Sequence, residues 1–358
     1  MDPVLRVGGS GISQERDGQQ VGETDGRALE TGLNVDIDWT EYVVGDVFLQ
    51  ARTGNRARYE RLSVEETENG ASVQDQVDLE VRYNSGARLG IGFGRLRDVT
   101  PVIRALRVRE RLNELGRDGV LSSENVQAAA QQFARRPGYA PVYDRGDKYF
   151  WNDFFSGIEA QSSELLAYES FYLAESLVEQ VARRQEGYEV SAGVDLDYSN
   201  MLDKVDRDAG LNERSKSIRS SVGFFTEGRY ATNLSLRQQV TIFGGAEYAI
   251  PTEGETSIDS ALETRVGAQH LWEIADRYQL ITSATTRYQR QKPETGDTTT
   301  GFDVLASSDF AIFVENNVRL NAGLNYSLST QNYGNAQVTR NNLRFSFGIN
   351  YFLFRGLK

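Results

Sequence analysis

From Tyr188 to the end of the chain, apolar and polar residues alternate with a period of two. That period is the signature of strands with one greasy and one wet face. The last such run sets Leu343, Phe345, Phe347, Ile349 and Tyr351 against Arg344, Ser346, Gly348 and Asn350. An earlier one sets Tyr188, Val190, Ala192, Val194, Leu196 and Tyr198 against Glu189, Ser191, Gly193, Asp195, Asp197 and Ser199. Eight runs of this kind follow residue 186. They exceed the usual soluble strand of about 5–6 residues and reach the about 9–11 that a tilted membrane strand needs. Their connections alternate between tight turns, as at 231–233, 274–276 and 315–317, and longer polar loops, as at 200–217, 251–257, 290–300 and 331–341. Short turns at one end and long loops at the other are the habit of outer-membrane barrels.

The polar face carries too much charge to be the dry centre of a soluble barrel. Tyrosines and tryptophans stand near the strand ends, as interfacial girdles require. No run of apolar residues approaches the eighteen of a membrane helix. With no cysteine and a single histidine, His270, thiolate chemistry and histidine-rich metal sites are excluded, and no metal or cofactor is expected. A net charge of -12 argues against nucleic acid as a partner. Histidine-dependent catalysis would rest on His270 alone, which falls on the greasy phase beside Trp272, so the chain is expected not to be an enzyme.

The segment Ser346-Phe347-Gly348-Ile349-Asn350-Tyr351-Phe352-Leu353 resembles the C-terminal β-signal of Gram-negative outer-membrane β-barrel proteins, a porin-like class. Ser346, Gly348, Tyr351 and Leu353 occupy its fixed positions; the chain departs from it by continuing to Lys358 rather than ending on an aromatic. The resemblance implies residence in the outer membrane after removal of a signal peptide, recognition by the barrel-assembly machinery, and contact with outer-membrane lipid and lipopolysaccharide.

Three parts are expected: N-terminal strands over 1–98, a helical insertion over 99–185, and C-terminal strands over 186–358. In the first part the alternation suggests five strands: 4–14, 29–39, 47–59, 73–83 and 87–97, the last two joined by a turn at Asn84-Ser85-Gly86. The 47–59 run loses phase near Arg61, as at a bulge. In the insertion, Thr100-Pro101 opens a helix that ends at Gly116, a second runs from Ser122 or Ser123 to Arg135, and a third covers 147–158. Residues 164–184 read as helix or strand. Thirteen strands offend the even count of single-chain barrels. The count becomes fourteen if 164–184 crosses the membrane, or twelve if 1–16 stays outside the barrel, and the balance favours fourteen. The fold class is thus an all-β antiparallel up-and-down transmembrane barrel of 12–14 strands with an α-helical insertion.

The alternation turns Arg219, Arg229, Arg237, Arg265, Arg287, Arg319 and Arg344 toward the lumen, with Asp195, Asp197, Glu227, Glu247, Glu263, Asp303 and Asp309. Mixed signs fit bracing ion pairs in a water-filled wall or a selectivity lining. Nine glycines, among them Gly90, Gly92, Gly193 and Gly267, share that face, either relieving crowding or making room for an internal plug. The expected function is a porin-like or gated conduit for solute passage or export. The alternative is a non-conducting scaffold whose insertion docks an envelope protein. The aromatic cluster from Tyr149 to Phe155 reads as the insertion's own small core or as a surface for a partner.

Overall fold

The computed structural model describes residues 2–16, 19–68, 71–118, 121–139, 141–142, 146–157, 166, 168–169, 172–173, 181–207, 213–253, 258–275, 277–315, 318–334 and 336–351. Twelve strands form one antiparallel sheet in strict sequence order. They are β1 (Asp2–Arg16), β2 (Gln19–Val44), β3 (Val47–Glu68), β4 (Ala71–Asp98), β5 (Gln185–Arg207), β6 (Glu213–Ser235), β7 (Gln238–Glu253), β8 (Ile258–Ala275), β9 (Tyr278–Pro293), β10 (Thr299–Glu315), β11 (Val318–Tyr333) and β12 (Ala336–Tyr351). Between β4 and β5 the described residues include the α-helices α1 (Thr100–Glu114), α2 (Asn125–Arg135) and α3 (Gly146–Gly157).

Twelve strands replace the favoured fourteen, and the reason is local. Asn84-Ser85-Gly86 makes no turn, because β4 runs straight through it. Asn84 pairs with Arg56 on one side and Ser199 on the other, and Gly86 with Gly54 and Asp197. A ladder on both edges overrides the turn preference of the three residues. Tyr83 and Ala87 keep the same phase, so the alternation never breaks. Nor does β3 slip near Arg61, where the register with β4 holds from Val47↔Phe93 to Glu66↔Gln74. The described residues within 164–184 add no strand to the sheet, and Tyr168, Glu169, Tyr172 and Leu173 are helical. The first strand does join the barrel, pairing with β2 from Asp2↔Asn34 to Arg16↔Gln19.

The insertion sits at the end of the short turns, not among the long loops. The N–H of Gly94 donates to Asp46 O in the β2–β3 turn at 2.9 Å, and Arg107 of α1 reaches Leu236 O in the β6–β7 turn at 3.1 Å. By the habit of such barrels this end is periplasmic.

The outward face is greasy in a band bounded by rings. On β4 Leu89, Ile91 and Phe93 stand 54%, 57% and 49% exposed. Tyr188 meets Phe93 at the lower edge and Tyr198 meets Tyr83 at the upper edge, each pair at 6.2 Å between ring centroids. Tyr188 and Tyr198 lie ten residues apart on one strand. At ~3.4 Å per residue and a tilt of ~40° that is about 26 Å along the membrane normal, close to the apolar height of an outer-membrane barrel. Within that band the outward positions of β4 to β6 carry no charge. This is the surface of a barrel whose solvent is lipid.

The buried residues lie chiefly outside the sheet. Ala105, Val108, Leu112, Leu121, Ala129, Phe133, Phe150, Phe154 and Leu173 form one cluster inside the insertion. The Phe133 ring centroid lies 5.3 Å from that of Phe150 and 5.4 Å from that of Phe154. The Tyr149–Phe155 segment therefore supplies the insertion's own core, while Tyr149 faces outward. The insertion closes on itself at its base. The N–H of Val99 donates to Arg184 O at 2.9 Å, and the N–H of Arg184 donates to Thr100 Oγ1 at 2.8 Å. Thr100 does not cap α1 as its sequence position suggests. Val99 holds that place, and the Asp98 carboxylate accepts the Thr100 N–H at 2.9 Å.

Candidate functional site

The inward face is wet, and one guanidinium organises its middle. Arg88 of β4 donates to Asp195 on β5 through Nε at 3.0 Å and Nη2 at 2.5 Å. It also reaches Glu247 on β7 at 2.8 Å and Glu227 on β6 at 3.5 Å. In a flat sheet β7 would lie about 14 Å from β4. One side chain can span them only because the sheet curls tightly toward this face. The same guanidinium lies 4.4 Å from the centroid of Phe225, a cation–π contact.

Inward phenylalanines rest on inward glycines. The Phe48 ring occupies the space a side chain on Gly92 would fill, and Phe225 does the same over Gly90 and Phe243 over Gly267. Phe48 and Phe225 are 3% and 5% exposed. Gly90, Gly92 and Gly267 thus seat rings from β6, β3 and β7, which favours relief of crowding over a plug at these three positions. A cavity of about 530 Å³ is lined by Asp38, Gln50 and Arg52 on one side and by Phe243, Arg265 and Gln269 on the other. A second of about 340 Å³ is lined by Arg52, Arg88, Asp195, Glu227, Glu247 and Arg265 among others.

The expected lumen residues fall as follows. Asp195 and Asp197 are on β5, Arg219, Glu227 and Arg229 on β6, Glu247 on β7, and Glu263 and Arg265 on β8. Arg287 is on β9, Asp303 and Asp309 on β10, Arg319 on β11 and Arg344 on β12. Arg237 instead occupies the β6–β7 turn, where its carbonyl accepts the Glu273 N–H at 2.8 Å. Arg287 donates to Glu263 at 2.6 Å and stands opposite Asp303 in the ladder. Arg319 lies over Phe313 at 5.4 Å. Asp195, Glu227 and Glu247 are gathered; Arg219, Arg344 and Asp309 lie apart from that group. Ser346, Gly348 and Tyr351 are on β12, and Leu353 lies outside the described residues.

Sequence reasoning placed Arg88 at the start of the strand read over 87–97 but did not count it among the lumen residues, because nothing along one strand marks the carboxylates it meets on three others. It also missed the periplasmic mouth. There Glu273 of β8, 3% exposed, accepts both Arg107 of α1 and Arg184 at the end of the insertion through one oxygen. Its other oxygen accepts the Ala182 N–H at 2.9 Å. Gln239 of β7 accepts the Gln185 N–H at 2.8 Å. Such a pair of buried cations on one anion is strongly held while complete and costly when one member is lost. No long-range sequence signal links these residues. Beside them a cavity of about 220 Å³ is lined by Ala182, Arg183, Arg229, Gln239 and Gln269. These contacts tie both ends of the insertion to the short-turn rim of β6, β7 and β8.

Outside the membrane band, Glu169 of the insertion is held below the usual carboxylate range, first by its hydrogen bond from Arg117 and then by the Leu166 N–H. These contacts are 3.0 and 2.7 Å.

No family model matches the chain, and no curated protein matches it. Among solved structures it is similar to the β domain of the Bordetella autotransporter BrkA, at 12% identity and a TM-score of 0.28, over 98% of each chain. It is similar to the transport unit of the autotransporter AIDA-I from Escherichia coli, at 10% identity and a TM-score of 0.33, over 97% of this chain and 89% of that one. It is also similar to OmpT, an outer membrane protein of Vibrio cholerae, at 8% identity and a TM-score of 0.28, over 98% and 95%. Superpositions this loose carry no argument about activity. The expectation that the chain is not an enzyme is withdrawn. That expectation leaned on the solitary histidine, yet Asp195, Asp197 and Glu247 bring carboxylate oxygens within 4.8 Å of one another in the lumen. Acid–base chemistry between carboxylates requires no imidazole. The fold itself, a twelve-stranded up-and-down sheet with a charge-free belt and a charged interior, is that of an outer-membrane β-barrel.

Proposed function

We propose that this barrel is a gated conduit of the outer membrane, with the helical insertion as its periplasmic gate. The observation that supports the reading is the contact of Arg107 and Arg184 with Glu273, which ties the insertion to the rim of a polar lumen. The lumen supplies water-accessible volume and fixed charges of both signs, the ingredients of a selective pore. The gate is a separable unit, since its core is its own and its two ends meet at Val99 and Arg184.

Planar-bilayer recording tests this. The full chain is expected to conduct rarely or at a low level. A chain with 99–184 replaced by a short turn is expected to conduct steadily. Absence of current from both would overturn the proposal. It would favour the second reading, a scaffold whose insertion docks an envelope partner. The specific support for that reading is the insertion's independent core.

A further inference from the structure

The cavity of about 220 Å³ beside the end of the insertion has no carboxylate in its wall. The two larger lumen cavities carry three and four acidic residues in theirs, on a chain whose net charge is -12. The small cavity is built from two sources. Ala182 and Arg183, the last part of the insertion, give one side, and residues of β5 to β9 give the rest. Arg229, Thr241 and Gln269 stand in this wall and also in that of the 530 Å³ cavity, so the two spaces adjoin.

Several of its polar heads have nothing else to hold. The side chains of Arg229, Gln269 and Gln185 make no hydrogen bond or ion pair among the described residues. Glu189 stands opposite Arg229 in the β5–β6 ladder, but it lines the larger cavity and not this one. Thr241, 2% exposed, accepts the Gln239 amide at 3.0 Å, which leaves its own hydroxyl proton to be donated. Arg183 is held by Asp98 at 3.2 Å. Leu271 and Ile281 supply an apolar floor.

These groups select a chemistry. A guanidinium fork matches a carboxylate, and side-chain amides and a hydroxyl match alcohol groups. The floor takes a carbon chain. The volume is about seven times the ~30 Å³ that one water occupies in the liquid, which suits a small organic molecule better than a bare ion. We propose that this cavity binds a small hydroxylated carboxylate, its charge on Arg229 and its hydroxyls on Gln185, Thr241 and Gln269. The inference deepens the conduit reading by naming a class of solute, and it rests on that reading for the ligand's arrival through the lumen.

The test is isothermal titration calorimetry on the full purified chain in nonionic detergent, with gluconate as the probe. Glucose has comparable hydroxyls without the charge, acetate has the charge without the hydroxyls, and inorganic phosphate is a bare anion. Gluconate is expected to bind at least about tenfold more tightly than any of the three, the worth of one charge-assisted contact. Arg229→Gln is expected to lose at least about tenfold in gluconate affinity, and Gln269→Leu to narrow the gap between gluconate and acetate. Lys148→Gln, on α3, is expected to leave binding unchanged. Should Arg229→Gln fold poorly, judged by heat-modifiable migration, Arg229→Lys keeps the charge, loses the fork and gives a milder loss to read. No heat from millimolar gluconate, equal binding of glucose, acetate or phosphate, or an unchanged affinity in the folded Arg229 variant would overturn the proposal. Failure of the conduit reading shows differently: a chain that binds gluconate yet passes no current with or without 99–184 keeps this site and loses the conduit.

Discussion

Phe48 lies flat in the place where Gly92 would carry a side chain, one residue of β3 filling the missing volume of its neighbour on β4. The ring is nearly fully buried although it faces a water-lined lumen. Gly92→Ala is expected to cost about 1–3 kcal/mol through overpacking. Adding Phe48→Ala to that variant should return part of the loss, because the two residues share one space. Urea unfolding in lipid vesicles measures both, and strict additivity would show that the seat is not tight.

Glu273 holds two arginines from opposite ends of the insertion. Glu273→Gln keeps its shape and removes its charge. The uncompensated cations are expected to loosen the insertion by about 3–5 kcal/mol. Single-channel recording should then show longer open times than the parent chain, with greater cleavage of 99–184 by added protease. A variant as quiet and as resistant as the parent would place the gate's anchor elsewhere.

Arg88 is shared among Asp195, Glu227 and Glu247. Arg88→Met removes the cation that these three carboxylates share and leaves Arg52 and Arg265 as the arginines of that cavity wall. Reversal potentials in a potassium chloride gradient are expected to shift toward cation preference by several-fold in permeability ratio, since fixed charge at a narrow point sets selectivity. An unchanged ratio would mean that ions pass by another route.

The depressed titration of Glu169 gives the insertion an acid limit. Its carboxylate is favoured in the folded state, by the Arg117 hydrogen bond first and the Leu166 N–H next. The sign follows from linkage: this contribution is complete above the unfolded value of about 4.3 and is lost as pH falls through the lower folded value. Protection of the Leu166 amide from hydrogen exchange is expected to fade below pH of about 4, and Glu169→Gln should flatten that dependence.

Much of this was legible because membrane barrels write their faces into alternate residues. Each alternating run after residue 186 falls within a strand, and the three helices lie within a few residues of their expected bounds. The polar loops expected at 200–217 and 331–341, however, are largely strand: β5 runs to Arg207, β6 starts at Glu213, β11 runs to Tyr333 and β12 starts at Ala336. The failure at Asn84-Ser85-Gly86 is instructive. Turn-forming residues act locally, whereas a strand paired on both edges gains hydrogen bonds along its whole length, and the ladder prevails. Lumen orientation was legible for Asp195, Glu227 and Glu247, but their meeting at Arg88 was not. That meeting depends on curvature across four strands, which no single strand encodes. Glu273 was hidden for a related reason: its partners lie 166 and 89 residues away in the chain.

The closed base of the insertion, where Val99 and Arg184 are joined by a backbone hydrogen bond, has a developmental consequence. To the growing sheet, residues 99–184 count as a single hairpin bend. An appendage of this sort is free to be enlarged, shortened or exchanged over evolutionary time while every ladder around it keeps its alignment. New periplasmic behaviour can be grafted onto an unchanged wall.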